Sequence, residues 1–254
     1  MMIPRVIPCL LLRGAGLVKT TGFKHPKYVG DPINAIRILN EKEVDELILL
    51  DIEATRKGKP PPFELIEEIT SECFMPVCYG GGISTVHDME KVFHLGVEKI
   101  SINARAVEEP SFVREASQVF GSQSVVVSMD VKRNFLGKYE IVTHNGRRKT
   151  GLNPQDFARQ AEDMGSGELL VTSVDRDGKG SGYDVALLRS ISNSVTIPVV
   201  ACGGAGRLED VYDAICNGEV SAAAAGSLFV FYGPHRAVLI NYPERQTLET
   251  LFAN

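Results

Sequence analysis

The sequence has no apolar stretch that approaches the length of a membrane-spanning helix. It also has no block of Lys and Arg residues, and its formal net charge is −5, so neither nucleic acid nor a membrane is an expected partner. Its N-terminal region lacks the pattern of a signal peptide. We therefore expect a cytoplasmic protein.

Metal-binding and nucleophile motifs are missing as well. The five histidines show no HxH or HExxH spacing, so we predict no metal and no cofactor. No Ser/His/Asp or Cys/His arrangement stands out. The cysteines are odd in number, widely spaced and mostly within apolar runs, which indicates buried free thiols in a reducing compartment: Cys9, Cys73, Cys78, Cys202 and Cys216.

What the sequence does contain is a series of short runs rich in Val, Ile and Leu, separated by longer amphipathic stretches. This pattern is typical of a parallel sheet covered by helices. A length of 254 residues suits one (β/α)8 barrel, for which about 250 is typical. We predict an α/β fold, a single (β/α)8 TIM barrel domain over residues 1–254, with strands at Val6–Leu12, Glu46–Asp51, Pro76–Gly80, Lys99–Asn103, Ser124–Asp130, Glu168–Ser173, Ile197–Ala201 and Ser221–Ala225.

An internal repeat supports closure of the barrel. Residues 47–55 resemble 169–178, and 78–83 resemble 201–206, at a spacing of about 120 residues. The repeat predicts two similar half-barrels.

Residues 131–152 break the alternation of strands and helices. Two alternating segments flank Asn145-Gly146, a dipeptide that favours a two-residue hairpin turn. We predict a β-hairpin inserted after the fifth strand, at the mouth of the barrel.

Glycines follow the third and seventh predicted strands, at 80–82 and 203–206. Without a Cβ atom they let backbone N–H groups approach a phosphate. Residues 102–104 and 225–227 would complete each site with a helix N-terminus. Two such sites at one mouth predict a two-ended phosphorylated ligand; the alternative is that these are ordinary tight turns.

Charged residues near the strand ends are further candidates. Asp130 ends a buried strand and is suited to general acid or base chemistry. Asp51 and Asp177 follow the second and sixth strands. For Asp130 and Asp51 the alternative is that the carboxylate caps the next helix. Lys19, in the predicted loop after the first strand, could close over a phosphate or be an exposed surface charge.

These features together resemble the HisF family, the cyclase subunit of imidazole glycerol phosphate synthase. The resemblance runs from about residue 4 to 235 and rests on motifs that include ArgValIleProCysLeu at 5–10, GlyAspPro at 30–32, GlyGlyGlyIle at 80–83, ThrSerValAspArgAspGly at 172–178, SerGlyTyrAsp at 181–184 and GlyGlyAlaGly at 203–206. It implies Asp130 and Lys19 as catalytic residues. It also implies a substrate and phosphate site of Asp51, Gly82, Asn103, Thr172, Asp177, Gly178, Gly203, Gly204, Gly226 and Ser227.

The resemblance further implies a partner, a HisH-like glutaminase that docks at the N-terminal face of the barrel. Ammonia from the glutaminase would pass through the barrel to a ribulosyl bisphosphate-type substrate. A salt-bridged ring guards the ammonia entrance in this family, and the matching residues are Arg5, Glu46, Lys99 and Glu168. A purely structural ion-pair plug is the alternative.

The sequence departs from the family at one catalytic position. HisF enzymes carry an aspartate at the end of the first strand, where this chain has Leu11. A leucine cannot transfer a proton, and loss of one acid/base partner removes a factor of roughly 10²–10⁴ from a rate. Ala104 and Cys202 also stand where the family usually has Thr and Ser.

With its kept entrance and broken catalytic pair, and in segments such as LeuValLysThr at 17–20, the chain resembles a HisF-like subgroup found with surface-polysaccharide genes and described as acetamidino-modification or glycosyl amidation proteins. There, a separate ATP-dependent amidotransferase is thought to use the ammonia to convert a sugar acetamido group to an acetamidino group. Four hypotheses follow: an ammonia-conducting subunit for sugar amidation, a working cyclase subunit of the lyase type, a phosphosugar isomerase of the related HisA type, and a pure scaffold or binding role that overlaps the first. The four charged residues and Leu11 both argue against the isomerase.

Overall fold

The computed structural model describes residues 3–253, and its centre is a closed barrel of eight parallel strands. Each strand pairs with its neighbours in chain order, and β1 pairs with both β2 and β8. The strands are β1 (Arg5–Arg13), β2 (Leu47–Asp51), β3 (Val77–Gly80), β4 (Lys99–Ile102), β5 (Val125–Arg133), β6 (Glu168–Ser173), β7 (Val199–Cys202) and β8 (Ala222–Ala225). The predicted (β/α)8 barrel is confirmed, and every predicted strand is present within a few residues of its expected bounds.

Helices lie between the strands and cover the barrel. They are α1 (Pro32–Glu41), α2 (Ala54–Lys57), α3 (Phe63–Glu72), α4 (Val86–His94), α5 (Ala104–Glu108), α6 (Ser111–Phe120), α7 (Pro154–Asp163), α8 (Val185–Ser192), α9 (Leu208–Cys216), α10 (Ser227–Val230) and α11 (Arg245–Ala253), with a 3-10 turn at Ser122–Ser124. Several begin at a side-chain cap. Asn153, for example, accepts from the backbone N–H groups of Gln155 and Asp156 and precedes Pro154, whose fixed φ suits a first helical turn.

The core has two layers, because alternate residues of a strand point to opposite sides. Outward-facing side chains such as Val6, Leu49 and Val127 pack under the helices. Inward-facing side chains fill the barrel: Ile7, Cys9, Leu11, Ile48, Cys78, Val126, Leu170, Val200, Ala222 and Ala224.

The repeat is visible in backbone conformation. Gly81 and Gly204 are equivalent in the two halves, and their φ angles are 120° and 124°. A Cβ atom would lie 2.5 Å from the Asp51 carbonyl oxygen at the first position and 2.2 Å from that of Gly182 at the second. Glycine is therefore required at both turns for sterics as well as conformation.

The insertion after β5 is a β-ribbon, as predicted, but its turn is longer than predicted. Tyr139–Thr143 pairs antiparallel with the end of β5, and Arg148–Lys149 pairs back onto it. Four residues, 144–147, connect these two strands. Positive φ angles at three successive residues, His144, Asn145 and Gly146, give this wider loop in place of the two-residue turn.

The structure contains a second hairpin, which the sequence analysis did not predict. The segment after β1 forms the antiparallel strands Gly16–Thr21 and Lys24–Gly30, which continue the sheet above the barrel. The prediction that Lys19 lies in a loop is therefore wrong: it lies on the first of these strands. A short ribbon of Phe231–Tyr232 and Ala237–Val238 follows α10. No helix within residues 3–253 is long and apolar enough to span a membrane.

Candidate active site

A cavity of about 290 Å³ opens at the C-terminal ends of the barrel strands. It contains the whole set of residues predicted for substrate binding and catalysis: Lys19, Asp51, Gly82, Asn103, Asp130, Thr172, Asp177, Gly178, Gly203, Gly204, Gly226 and Ser227. The fold thus brings together side chains that are up to 208 positions apart in sequence, from Lys19 to Ser227.

Asp130 has the chemistry expected of a proton-transfer group. Burial raises the pKa of its carboxyl to about 7, and the negative charge of Asp177 adds to the effect. The Asn103 side chain donates from Nδ2 to the Ser128 carbonyl oxygen at 2.9 Å and lies 3.4 Å from Asp130 Oδ2. A carboxyl that titrates near neutral pH can both accept and donate a proton under ordinary conditions.

Lys19 is buried, with 6% of its surface exposed. Its Nζ donates to the Cys9 carbonyl oxygen at 3.3 Å and lies directly over Gly226, where a Cβ atom would be only 1.7 Å from it. No carboxylate forms an ion pair with Lys19 among residues 3–253. A buried ammonium without a counter-charge is suited to binding an anion.

The first glycine turn forms one end of the cavity. Gly81 and Gly82 lie beside Asn103 and the start of α5. Two buried polar atoms at this end, Ser101 Oγ and Arg105 Nε, have no hydrogen-bond partner in the described chain. Unpartnered buried donors are uncommon, so this end has unused capacity to bind a ligand oxygen.

Asp51, at the same end of the cavity, already has hydrogen-bond partners. Its Oδ1 accepts from the backbone N–H groups of Glu53 (2.8 Å) and Ala54 (3.0 Å). Its carboxylate therefore also caps the start of α2, the alternative weighed in the sequence analysis.

The second glycine turn forms the opposite end of the cavity, where Gly203 and Gly204 face Gly226 and Ser227. The Ser227 hydroxyl is buried and, within the described residues, has no partner. Both ends of the cavity therefore offer unpaired donors, as a two-ended anionic ligand would require.

Asp177 and Gly178 fix the wall beside this second turn. Asp177 Oδ2 accepts from Thr20 Oγ1 (2.8 Å) and from the Phe23 backbone N–H (3.1 Å). A Cβ atom at Gly178 would lie 2.1 Å from the Thr20 carbonyl oxygen. The loop after β6 is thereby held against the hairpin that carries Lys19.

A ring of four charged residues closes the opposite, N-terminal end of the barrel. Arg5 pairs with Glu46 (2.5 Å) and with Glu168, and Lys99 pairs with the same two carboxylates at 2.9 and 3.0 Å. The positive and negative charges alternate, and the carboxylate side chains are only 6% and 8% exposed. Burial acts to lower the pKa of Lys99, but the ion pairs with Glu168 and Glu46 outweigh it and raise that pKa.

The space between the ring and the cavity is lined first by apolar and then by polar side chains. Ile7, Ile48, Val126 and Leu170 lie on the inner face of the barrel together with Cys78, which is in register with Lys99 of the ring. Closer to the cavity the inner face carries Ser101, Ser128, Thr172, Cys9 and Cys202.

Comparison with known proteins agrees with this geometry. The profile of the family described as histidine biosynthesis protein matches residues 5–235. A protein of Alkaliphilus metalliredigens named imidazole glycerol phosphate synthase subunit HisF is 44% identical over 229 residues, covering 90% of this chain and 91% of that protein. The chain belongs to the HisF family.

Another relative is 56% identical over 245 residues, covering 96% of this chain and 98% of its own length. It comes from Pseudomonas aeruginosa and is named as imidazole glycerol phosphate synthase subunit hisF2, with the assignment marked as provisional. A Leptospira interrogans protein with a similarly provisional HisF name is 47% identical over 253 residues, 99% of this chain and 100% of that protein.

In this HisF-family chain, Leu11 lies in the wall of the cavity. Its side chain is 9% exposed, and it is paired in register with Leu50 of β2 and Val18 of the hairpin. Both register partners of Leu11 are apolar, and Leu11 itself cannot exchange a proton. Asp130 faces the cavity without a carboxylate at position 11.

Several cavity residues were not anticipated, among them Phe23, Arg105 and His144. The Asn145-Gly146 signal located the hairpin but not the direction in which its turn points. Among residues 3–253, no group of three or more His, Cys, Asp or Glu side chains is arranged to hold a metal ion.

Proposed function

We propose that this HisF-type synthase subunit takes up ammonia from a HisH-like glutaminase and passes it through the barrel to serve sugar amidation in surface-polysaccharide biosynthesis. The observation that carries the proposal is an axial arrangement: an ion-pair ring at one end, an apolar interior, and an anion-binding cavity in which Leu11 replaces an acid/base group. In this proposal Arg5, Glu46, Lys99 and Glu168 are the ammonia gate.

The chemistry of the gate supports a conducting role. Because each carboxylate binds both cations, one ion pair can break while every charge keeps a partner. Beyond the ring, the apolar side chains favour neutral ammonia over ammonium, since a charge without a partner is costly in such surroundings. Ammonia would therefore enter the cavity unprotonated and nucleophilic.

The acceptor in this proposal belongs to another protein, an ATP-dependent amidotransferase. There ATP would transfer a phosphoryl or adenylyl group to the oxygen of a sugar acetamido group. Ammonia would then add at the same carbon, and the activated oxygen would leave as phosphate or AMP, giving the acetamidino group. The loss of the acid/base residue at position 11 supports an acceptor outside this barrel. The anion-binding cavity would then bind a phosphorylated small molecule that couples ligand binding to ammonia release.

A working imidazole glycerol phosphate synthase subunit of the lyase type is the second candidate. Asp130, with a pKa of about 7, favours it, because one proton-transfer group suited to neutral pH is still in place. This candidate would convert the ribulosyl bisphosphate-type substrate and ammonia to imidazole glycerol phosphate and the aminoimidazole carboxamide nucleotide.

Two measurements on the purified chain separate the candidates. The first is cyclase turnover with the histidine-pathway substrate and saturating ammonium, for which we expect none; turnover at a rate typical of HisF enzymes would establish the second candidate instead. The second is complex formation with a HisH-like glutaminase and glutamine-dependent ammonia transfer. A chain that neither binds a glutaminase nor turns over with ammonium would contradict both candidates.

A further inference from the structure

The turn of the β5 ribbon, residues 144–147, lies across the cavity, and we call it the mouth loop. Asn145 Nδ2 donates to the Ile52 carbonyl oxygen (2.6 Å) at the end of β2. A Cβ atom at Gly146 would lie 3.7 Å from both Phe23 and Val174, on the far side of the mouth. The mouth loop therefore touches three separate parts of the rim.

The pairing of the ribbon fixes which end of the cavity the mouth loop covers. Thr172 of β6 and Val142 of the ribbon both pair with Asp130, so they must lie on opposite edges of β5. The ribbon is consequently on the β4 side, above Asn103 and α5. An ion pair between Arg148 and Glu108 of α5 ties it there.

The mouth loop holds His144 in an unusual backbone conformation. Its φ is 53°, in the left-handed region that is uncommon for residues other than Gly but that His, like Asn and Asp, adopts more often than most. The imidazole lines the cavity and is the one imidazole to do so among the described residues. Strained positions of this kind are concentrated at functional sites.

The neighbouring Thr143 contacts one of the two ring nitrogens of His144 and leaves the other for a ligand. Thr143 is 1% exposed, and its Oγ1 lies 3.1 Å from His144 Nδ1. A buried hydroxyl needs an acceptor for its hydrogen, and Nδ1 can provide it only if it carries no proton. If the Thr143 hydroxyl donates to Nδ1, the neutral ring carries its hydrogen on Nε2, which has no partner within residues 3–253.

We propose that His144 is a ligand-binding residue, whose Nε2–H donates a hydrogen bond to a phosphate oxygen held at the first glycine turn. Arg105 and Ser101 line the same end of the cavity, and each carries a buried donor without a hydrogen-bond partner among residues 3–253. The inference rests on the anion-binding cavity of the proposed function, and it assigns the mouth loop the role of covering the bound phosphate.

Two substitutions of His144 distinguish the contribution of Nδ1 from that of Nε2. In His144→Asn, the side chain reaches only as far as Nδ1 and the residue tolerates positive φ. In His144→Gln, the amide N–H reaches about as far as Nε2. His87→Asn, on the exposed surface of α4, is the matched control.

The test is calorimetric titration of the whole chain with the bisphosphorylated histidine-pathway substrate, with the midpoint of thermal unfolding recorded for each variant. We expect His144→Asn to weaken binding about tenfold without lowering the midpoint, and His144→Gln to stay within about twofold of the wild type. The His87→Asn variant should bind like the wild type.

Equal weakening in both His144 variants would overturn the inference, because loop integrity rather than the Nε2 donor would then matter. Unchanged binding in both would also overturn it, while a loss of binding in Ser227→Ala would show that the cavity still binds phosphate. A wild-type chain that does not bind the probe overturns the inference too. Ammonia transfer from the glutaminase, measured separately, would show whether the conducting function stands without it.

Discussion

Asn103 and Asp130 meet at the floor of the cavity, where the Asn103 amide nitrogen lies 2.9 Å from the Ser128 carbonyl oxygen and 3.4 Å from Asp130 Oδ2. The closer contact fixes the amide, and the longer one offers a weak donor to the carboxylate. That single donor does not offset the burial of Asp130, which raises its pKa to about 7. Ionisation of this carboxyl in the folded protein therefore lowers the free energy of unfolding.

Replacement of this carboxyl should stabilise the free protein in a pH-dependent way. The folded-state pKa of Asp130 is above the unfolded value, so folding favours the protonated form and stability falls as the pH rises from about 4 to 7. We expect Asp130→Asn to raise the free energy of unfolding by about 2 kcal/mol at pH 8 and to change it little at pH 4. Urea unfolding at both pH values measures the difference.

Asp163→Asn is the control for this experiment, because Asp163 is exposed at the end of α7. It should show no comparable pH dependence. A stabilisation by Asp130→Asn that is equal at pH 4 and pH 8 would contradict the raised pKa.

The ion-pair ring should contribute more to stability than an ion pair on the surface. Lys99→Met leaves Glu46 and Glu168, both buried, with Arg5 as their only cation in the ring. We expect a loss of about 2 kcal/mol, since an incompletely neutralised buried carboxylate is costly and the cation is partly solvated. Arg37→Met breaks the exposed pair with Glu72 and should cost much less, because solvent and salt screen that pair. If chemical denaturation showed similar losses in the free energy of unfolding for Lys99→Met and Arg37→Met, burial would add nothing to the stability that the ring provides.

The unpartnered Ser227 hydroxyl should matter only when a ligand is bound. Its removal takes away a buried donor that makes no hydrogen bond in the free protein, so Ser227→Ala should leave the thermal midpoint unchanged or slightly higher. Binding of inorganic phosphate should weaken about tenfold. Ser192→Ala removes an equally unpartnered hydroxyl on α8, away from the cavity, and should leave binding unchanged. Equal binding by both variants would exclude Ser227 from the site.

The barrel could be predicted from the sequence because its eight strands are continuous apolar runs, and such runs need burial on both faces. The two glycine turns were predictable for a similar reason. Gly81 and Gly204 have positive φ and close backbone neighbours, so the sequence has little freedom at either position.

The strand that carries Lys19 was not predictable in the same way. Its residues alternate only briefly, and its partner strand, Lys24–Gly30, is mostly exposed and contains a proline. Its pairing with β1 comes from tertiary packing and not from local propensity. The same holds for His144, because the Asn145-Gly146 signal predicts a turn but not what the turn covers.

Substitution of Leu11 is expected to change both the stability and the activity of this chain. Replacement by aspartate restores the residue type that HisF enzymes carry there, but it removes a packed side chain and adds a charge to an apolar wall. We expect Leu11→Asp to lose about 3 kcal/mol of stability at pH 8, and less at pH 4, where the new carboxyl is protonated. Leu11→Asn, of similar size and without charge, should lose about 2 kcal/mol at both pH values.

Activity of the same two variants tests the role of position 11. If the missing carboxylate is what separates this cavity from a cyclase site, Leu11→Asp should gain turnover of the histidine-pathway substrate with ammonium, and Leu11→Asn should not. An equal rate in the wild type and in Leu11→Asp would mean that another group already replaces the aspartate. No turnover in Leu11→Asp, with substrate binding intact, would mean that the cavity differs from a cyclase site at more than one position. Ala104 and Cys202, the other departures from the family, would then be the next residues to exchange.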